Sequence, residues 1–498
     1  MSYLRDGAYR RKQFHFGNPM TMQALPEIRQ SGITEALGIQ GWAHLDPILL
    51  AAMATESPLL LIGPHGTAKS LLVERIAAAL GISMRHYNAS LINYDDLVGI
   101  PLPEEGTNRL QFVSTPGAIW DAEFVFFDEI SRCRPDLQNK MFPIVHERRI
   151  AGIRLEKLRH RWAAMNPPAP DDVDTAIGDH YLGSEPLDPA LVDRFPFVVP
   201  VPNWRQLTRD DRRRLVSGQQ QVSQSTPSVD LVTLVARCKA LLPELEDLLR
   251  EWLSDYIVSA VDLLDQARLY ESPRRAYMLA RSLVAIHAAR IVLEGDDADL
   301  EYSAELTLTF GLPQNASEVP PTRPTIIAIH RQAWEIASLS EDDAWRQVLE
   351  ELDTARRIVI ADQLELDDDD ISRLVTQALS AETSDARRLG LAAAIFIAFR
   401  SKRNLAPSAW EPIAQFALRL LEPRIVTTPL RAGQVTDLWN EINQWLPTLD
   451  ETSPFLVRLE RNFILCGFPD LWLRYDWRVA LEQFRADLRL FNIDENSR

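Results

Sequence analysis

Lys69 and Ser70 close a run, LLLIGPHGTAKS (Leu59 to Ser70), whose order of residue types suits one chemistry. Four apolar residues read as a buried strand. Gly63, Pro64, His65, Gly66, Thr67 and Ala68 read as a turn, and an amphipathic helix follows through Leu71 to Leu80. Such a turn cradles phosphates with backbone N–H groups, the lysine neutralises β/γ charge, and the serine hydroxyl reaches Mg²⁺. Gly63 through Leu71 are therefore nucleotide-binding candidates, and Ser70 is also a metal ligand. Ala68 stands where the general pattern has glycine. It can adopt helical dihedrals, so its cost is small provided the backbone need not take a positive φ. A glycine-containing turn ahead of an ordinary helix is the plainer alternative.

A second run, FVFFDE (Phe124 to Glu129), puts two carboxylates after four apolar residues. A continuous apolar run is the signature of a buried parallel strand. Its C-terminal end presents Asp128 and Glu129 at the sheet edge, where open α/β sheets bind ligands. Asp128 would hold Mg²⁺ directly or through water, and Glu129 would orient and polarise an attacking water. The bland alternative is an exposed acidic strand end.

Over about residues 40 to 300 the chain resembles the AAA+ ATPases, specifically the MoxR branch and its RavA-like members. Five motifs in family order carry the resemblance. DDLVGIPLPEEGTNRLQFVSTPGAIWDAEFVFFDEISR resembles the insert ahead of the acidic strand, and NKMFPIVHERRI the helix and turn after it. RWAAMNPP resembles the next sensor strand, LDPALVDRF the segment ending in an arginine, and ESPRR a later helix start. The resemblance implies that Asn166 is the sensor amide bridging the γ-phosphate and the lytic water. An Asx turn before Pro167 and Pro168 is its structural alternative. It implies that Arg194 reaches the nucleotide of a neighbouring subunit as an arginine finger, with Arg132, Arg134, Arg148 and Arg149 as rivals and a salt bridge to Asp193 as the bland reading. Ser272, Pro273 and Arg274 read as N-cap, first residue and first turn of a helix. A cation there opposes the helix dipole, so Arg274 needs an anion. The γ-phosphate fits, in a second sensor role that Arg275 could share. The catalytic set is thus Glu129, Asn166, Arg194 and Arg274, with ATP and Mg²⁺ as cofactors.

The 498 residues carry a net charge of −17 and a pI near 5.1. That balance argues against general nucleic-acid binding. One local exception is ERRIAGIRLEKLRHR (Glu147 to Arg161), where alternation around Ala151 to Leu158 suggests a hairpin that touches substrate in a pore or forms a solvated rim. Cys133, Cys238 and Cys466 lie far apart, which suggests neither a disulfide framework nor a cysteine zinc site. The start, MSYLRDGAYRRKQFHF, has no apolar leader core, and the apolar run Leu389 to Phe399 is too short to span a bilayer. A cytoplasmic protein without a membrane span is the expectation.

The fold class that follows is an α/β P-loop AAA+ core with a helical lid, followed by an all-α C-terminal domain. Residues 1–35 form an N-terminal arm, 36–203 the α/β core, 204–310 the lid, and 311–325 a proline-rich linker. Residues 326–498 form the all-α, partner-binding domain, unrecognised by family. Its tryptophans sit at helical spacing and read as core. LELDDDDIS reads as an acidic helix start rather than a metal site. The functional expectation is an ATP-driven, chaperone-like remodelling machine. By resemblance it works as a homo-oligomeric ring, a hexamer, with a von Willebrand A domain partner. The alternative is a nucleotide-gated module associated with nucleic acid or a defence system.

Overall fold

The apolar runs of the first half become adjacent parallel strands. The computed structural model describes residues 32–103, 110–113, 115–168, 187–217, 230–317, 319–340, 343–421, 433–446 and 454–494. The first 31 residues of the expected arm, the tip of the insert and residues 218–229 of the expected lid lie outside them. The chain divides into two units, Met1–Ser338 and Leu339–Arg498.

The strands of the first unit are β1 (Leu59–Ile62), β2 (Met84–Asn88), β3 (Ile100–Pro103), β4 (Leu110–Val113), β5 (Phe124–Asp128), β6 (Arg149–Ile150), β7 (Ile153–Arg154), β8 (His160–Met165) and β9 (Phe197–Pro200). Five of them form a parallel sheet in the order β2-β5-β8-β1-β9. The helices that matter here are α1 (Asp46–Ala54), α2 (Lys69–Leu80), α3 (Pro135–Glu147), α4 (Leu231–Gln266), α5 (Pro273–Glu294), α6 (Leu300–Gly311) and α7 (Arg323–Ser338). Alternate strand residues feed two cores, because successive side chains leave opposite faces. Leu59, Leu61, Phe124, Phe126, Trp162 and Phe197 pack with α1, α2, α4 and α5. Leu60, Ile62, Val125, Phe127, Ala163 and Val198 pack with α3. A sheet covered on both faces explains why its strands read as unbroken apolar runs.

The helical half of this unit follows from sequence periodicity. Leu231, Leu234, Cys238, Leu245, Leu249, Leu253, Tyr256 and Ala260 make one buried stripe along α4, the spacing of a core-facing helix. Helix α5 is long and apolar enough to cross a membrane by composition, but more than half of that stretch is buried. It packs against α1, α4 and α6 and is the central core helix of the unit.

The expected linker is corrected here. Residues 311–325 take in the end of α6, a 3₁₀ turn at Pro313–Ala316 and the start of α7. Helix α7 lies on α4, where Tyr256 Oη and His330 Nδ1 are 2.9 Å apart. Trp252 stacks on Tyr256 with ring centroids 5.3 Å apart, and Trp334 meets Trp252 edge-on at 4.9 Å. These contacts hold α7 in the first unit, so the division falls after Ser338.

The second unit is all-helical among its described residues, from Ala344–Glu350 through Trp477–Leu490. Its core gathers Ile358, Ile371, Val375, Ile395, Phe463 and Phe484. Trp472 and Trp477 are buried in it, and Trp345, Trp410 and Trp445 pack against it. Helices Ala344–Glu350 and Thr354–Gln363 are separated at Glu351–Asp353. The acidic start reads as expected: Asp367 Oδ1 accepts the Asp370 N–H at 2.8 Å and caps the helix Asp368–Ala381.

Candidate nucleotide site

The turn between β1 and α2 is built as the residue types require, with one difference. Ala68 sits at φ 70°, ψ 21°, in the left-handed region that costs an L-residue about 1–2 kcal/mol. The sequence expectation made the alanine cheap only if a positive φ was not needed; here it is needed. The loop begins at Gly63, where a Cβ would lie 2.4 Å from Val201 Cγ2 at the end of β9. Any residue with a Cβ would have to displace the Val201 side chain. Thr67 Oγ1 donates to the Pro64 carbonyl at 2.8 Å and braces the turn.

Lys69 lies over this loop. Its Nζ donates to the carbonyls of Gly63 at 2.6 Å and Pro64 at 2.8 Å. Burial pulls its ammonium down to about 8, against the opposing pull of the Asp128 and Glu129 carboxylates. A buried cation at a helix N-terminus is a candidate anion receptor.

The two motifs meet. Ser70 Oγ donates to Asp128 Oδ2 at 2.6 Å, across 58 residues of chain. Asp128 also accepts the Glu129 N–H at 2.9 Å and lies 3.4 Å from His86 Nε2. Burial alone would raise its carboxyl. The bonds from His86, Ser70 and the Glu129 amide outweigh that and hold it below the usual range. An ionised carboxylate next to a serine hydroxyl is an oxygen donor set that fits Mg²⁺.

Glu129 turns the chain out of the sheet at φ 55°, ψ 38°. Its Oε2 accepts from Asn88 Nδ2 at 3.4 Å and Ser90 Oγ at 3.3 Å, and its Oε1 lies 3.9 Å from Arg132 Nη1. Asn88, Ser90 and His86 were not legible as site residues. Asn88 ends β2 directly opposite Asp128, a relationship that depends on strand order and leaves no local motif. Asn166 follows β8, the strand between β5 and β1, and is buried. It emerges between the acidic pair and Gly63, whose N–H donates to the Met165 carbonyl at 3.1 Å.

Arg194 and Arg274 are elsewhere. Phe197 of β9 pairs with Leu59 of β1, so Arg194, three residues earlier, lies beyond the N-terminal edge of the sheet. The loop from Gly63 to Ala68 leaves the C-terminal edge. A four-residue strand separates the edges by ~13 Å at about 3.3 Å per residue. Asp193 pairs not with Arg194 but with Arg274 at 3.5 Å and Arg275 at 3.4 Å. The anion that answers the first-turn cation of α5 is therefore Asp193, and Arg274 stands with Arg194 at the far edge. Ser272 caps α5 by accepting the Arg275 N–H at 3.0 Å.

Among the possible substitutes, Arg275 and Arg148 are tied into the fold, Arg134 and Arg149 make exposed contacts, and Arg132 stands beside Glu129. Arg275 is fully buried and donates to the Phe195, Gly311 and Val192 carbonyls. Arg148 pairs with Glu56 at 3.1 Å, Arg134 with Asn93 at 3.1 Å, and Arg149 with the Gly152 carbonyl at 3.1 Å. The basic stretch forms the hairpin β6–β7, turning at Ala151–Gly152. Arg159 also pairs with Glu56, Lys157 pairs with Asp121, and Arg161 is buried. Most of that positive charge is spent inside the unit.

Residues 58–195 match the AAA domain of the dynein-related subfamily. Among curated relatives, the uncharacterized protein SH1500 of Staphylococcus haemolyticus is 29% identical over 28% of this chain and 54% of its own. The uncharacterized protein YojN of Bacillus subtilis is 28% identical over 32% of this chain and 55% of its own. The chain spans about half the length of these two relatives. An uncharacterized Staphylococcus aureus protein, SAOUHSC_01413, is 25% identical over 41% of this chain and 89% of its own. A crystal structure of a candidate ATPase from Cytophaga hutchinsonii superposes with a TM-score of 0.43 at 18% identity, covering 61% of this chain and 94% of that one.

Proposed function

We propose that this chain, with its AAA domain of the ATPase type, is a Mg²⁺-dependent ATP hydrolase of the MoxR kind that assembles into a ring and remodels a bound protein. The observation that carries the reading is the contact of Ser70 with Asp128, beside Lys69 and ahead of Glu129. Lys69 would neutralise the β- and γ-phosphates, and Gly63 to Leu71 would surround them with backbone N–H groups. Ser70 and Asp128 would hold Mg²⁺, which when bound offsets charge on the phosphate oxygens. Glu129 would accept a proton from the attacking water, and Asn166 would orient that water.

Arg194 and Arg274 would act on a neighbour. Their edge of the sheet is not the edge that carries their own phosphate loop, so in a ring they face the next subunit's triphosphate. There they stabilise charge on the transferring phosphoryl group. A hexamer, a von Willebrand A domain partner recruited by residues 339–498, and a cytoplasmic location complete the proposal by resemblance. The nucleic-acid alternative has less support, because most cations of the 147–161 stretch are internally paired.

Mixing Arg194→Ala subunits with Lys69→Ala subunits tests the arrangement. Each is inactive alone. Together they should regain part of the turnover, at interfaces pairing an intact Lys69 site with an intact Arg194. No regain in mixed assemblies would make Arg194 structural.

A further inference from the structure

Arg194 is not left to find its direction. Its guanidinium carbon lies 4.7 Å from the ring centroid of Phe142, and its Nη1 donates to the Ala190 carbonyl. Phe142 is on α3, partly buried against the core that holds Leu191, Val192 and Phe195. The ring therefore has a fixed back and offers a π face to the guanidinium. His146 lies one turn further on the same face of α3, since residues four apart are neighbours on a helix. Burial lowers its imidazole, and the nearby charges of Arg274 and Arg194 lower it further, so both guanidiniums stand close to an imidazole that stays neutral.

We propose that Phe142 is the positioning residue for Arg194, holding the guanidinium over its ring so that it meets a neighbouring subunit's triphosphate already aimed. The inference rests on the trans role proposed above. An arginine side chain ordered only on contact loses rotamer freedom at that moment. A planar guanidinium stacked on an aromatic ring has lost it beforehand.

The test uses full-length protein. Phe142→Leu keeps an apolar side chain in the core contact and removes the π face, and Phe142→Tyr keeps both. Phe142→Leu should lower kcat about fivefold, the equivalent of a contact near 1 kcal/mol, with KM for ATP and the melting temperature close to those of the unchanged protein. Phe142→Tyr should restore turnover. In an Arg194→Ala background Phe142→Leu should cost nothing further. Unchanged turnover in Phe142→Leu alongside impaired Arg194→Ala overturns the positioning role and leaves the trans role standing. A further loss in the Arg194→Ala background also overturns it. If Arg194→Ala is itself fully active, the trans reading fails first, and the positioning role falls with it.

Discussion

Ser70 Oγ and Asp128 Oδ2, 58 positions apart, are joined by a 2.6 Å hydrogen bond. Ser70 stands in the first turn of the helix after β1 and Asp128 at the end of β5, and the strand between them is β8. The bond thus reports that the C-terminal edge of the sheet gathers the loop and the acidic pair into one place. Ser70→Ala should raise the Mg²⁺ concentration for half-maximal ATP turnover and lower the maximal rate by ~100-fold, since a metal's charge stabilisation is worth several kcal/mol. A Mg²⁺ titration of turnover checks this. An unchanged Mg²⁺ requirement would remove Ser70 from the metal site.

Acid stability should depend on His287. It is buried between α5 and α6, with Nδ1 3.1 Å from Ser303 Oγ. Burial, with help from Arg290, depresses its imidazole to about 4. The folded value lies below the unfolded value of about 6.5. Its contribution is therefore complete above pH 6.5 and is lost as pH falls toward 4. Between pH 7.5 and 5.5 the loss is on the order of 1 kcal/mol. Asp46 and Glu271, raised by burial to about 6 and about 7, favour folding in acid and oppose this trend. The comparison is therefore between the unchanged protein and His287→Gln, which share them. The melting temperature of His287→Gln should fall less over that pH interval; an equal fall would contradict the assignment.

The boundary between the units makes a sharper prediction than the expected linker did. A chain ending at Ser338 keeps the pair Tyr256–His330 and the Trp252–Trp334 contact. It should fold and hydrolyse ATP. A chain ending at Pro321 strips α7 from α4 and exposes the Tyr256 and Trp252 rings. It should melt several degrees lower, in keeping with about 2–3 kcal/mol for uncovering large apolar side chains. Thermal melts of the two fragments decide. Equal stability would place the boundary back near residue 325.

The sequence is informative where the chemistry is local. The loop and the acidic strand were legible because their chemistry is local: an apolar run buried on both faces, then the reactive side chains within a few residues. The helix starts at Ser272 and Asp367 were legible for the same reason. Helix α7 was assigned to the wrong side because Pro320, Pro321 and Pro324 mark a linker locally, while the contact of His330 with Tyr256 spans 74 residues. Asn88 and Ser90 went unseen because their link to Glu129 exists only once β2 lies beside β5. The contact of Arg274 with Asp193 is likewise not local, since it spans 81 residues. The positive φ of Ala68 could not be read from a residue type that favours negative φ.

The central claim is that Glu129 activates water at a site that Lys69 and its loop assemble. Glu129→Gln keeps the size and polarity of the side chain and removes its capacity to take a proton. The most direct measurement is ATP binding and steady-state hydrolysis by this variant with Mg²⁺ present. ATP binding should stay within about threefold of the unchanged protein while turnover falls at least ~100-fold, the scale of a lost general base. Hydrolysis at the unchanged rate with binding intact would contradict the account.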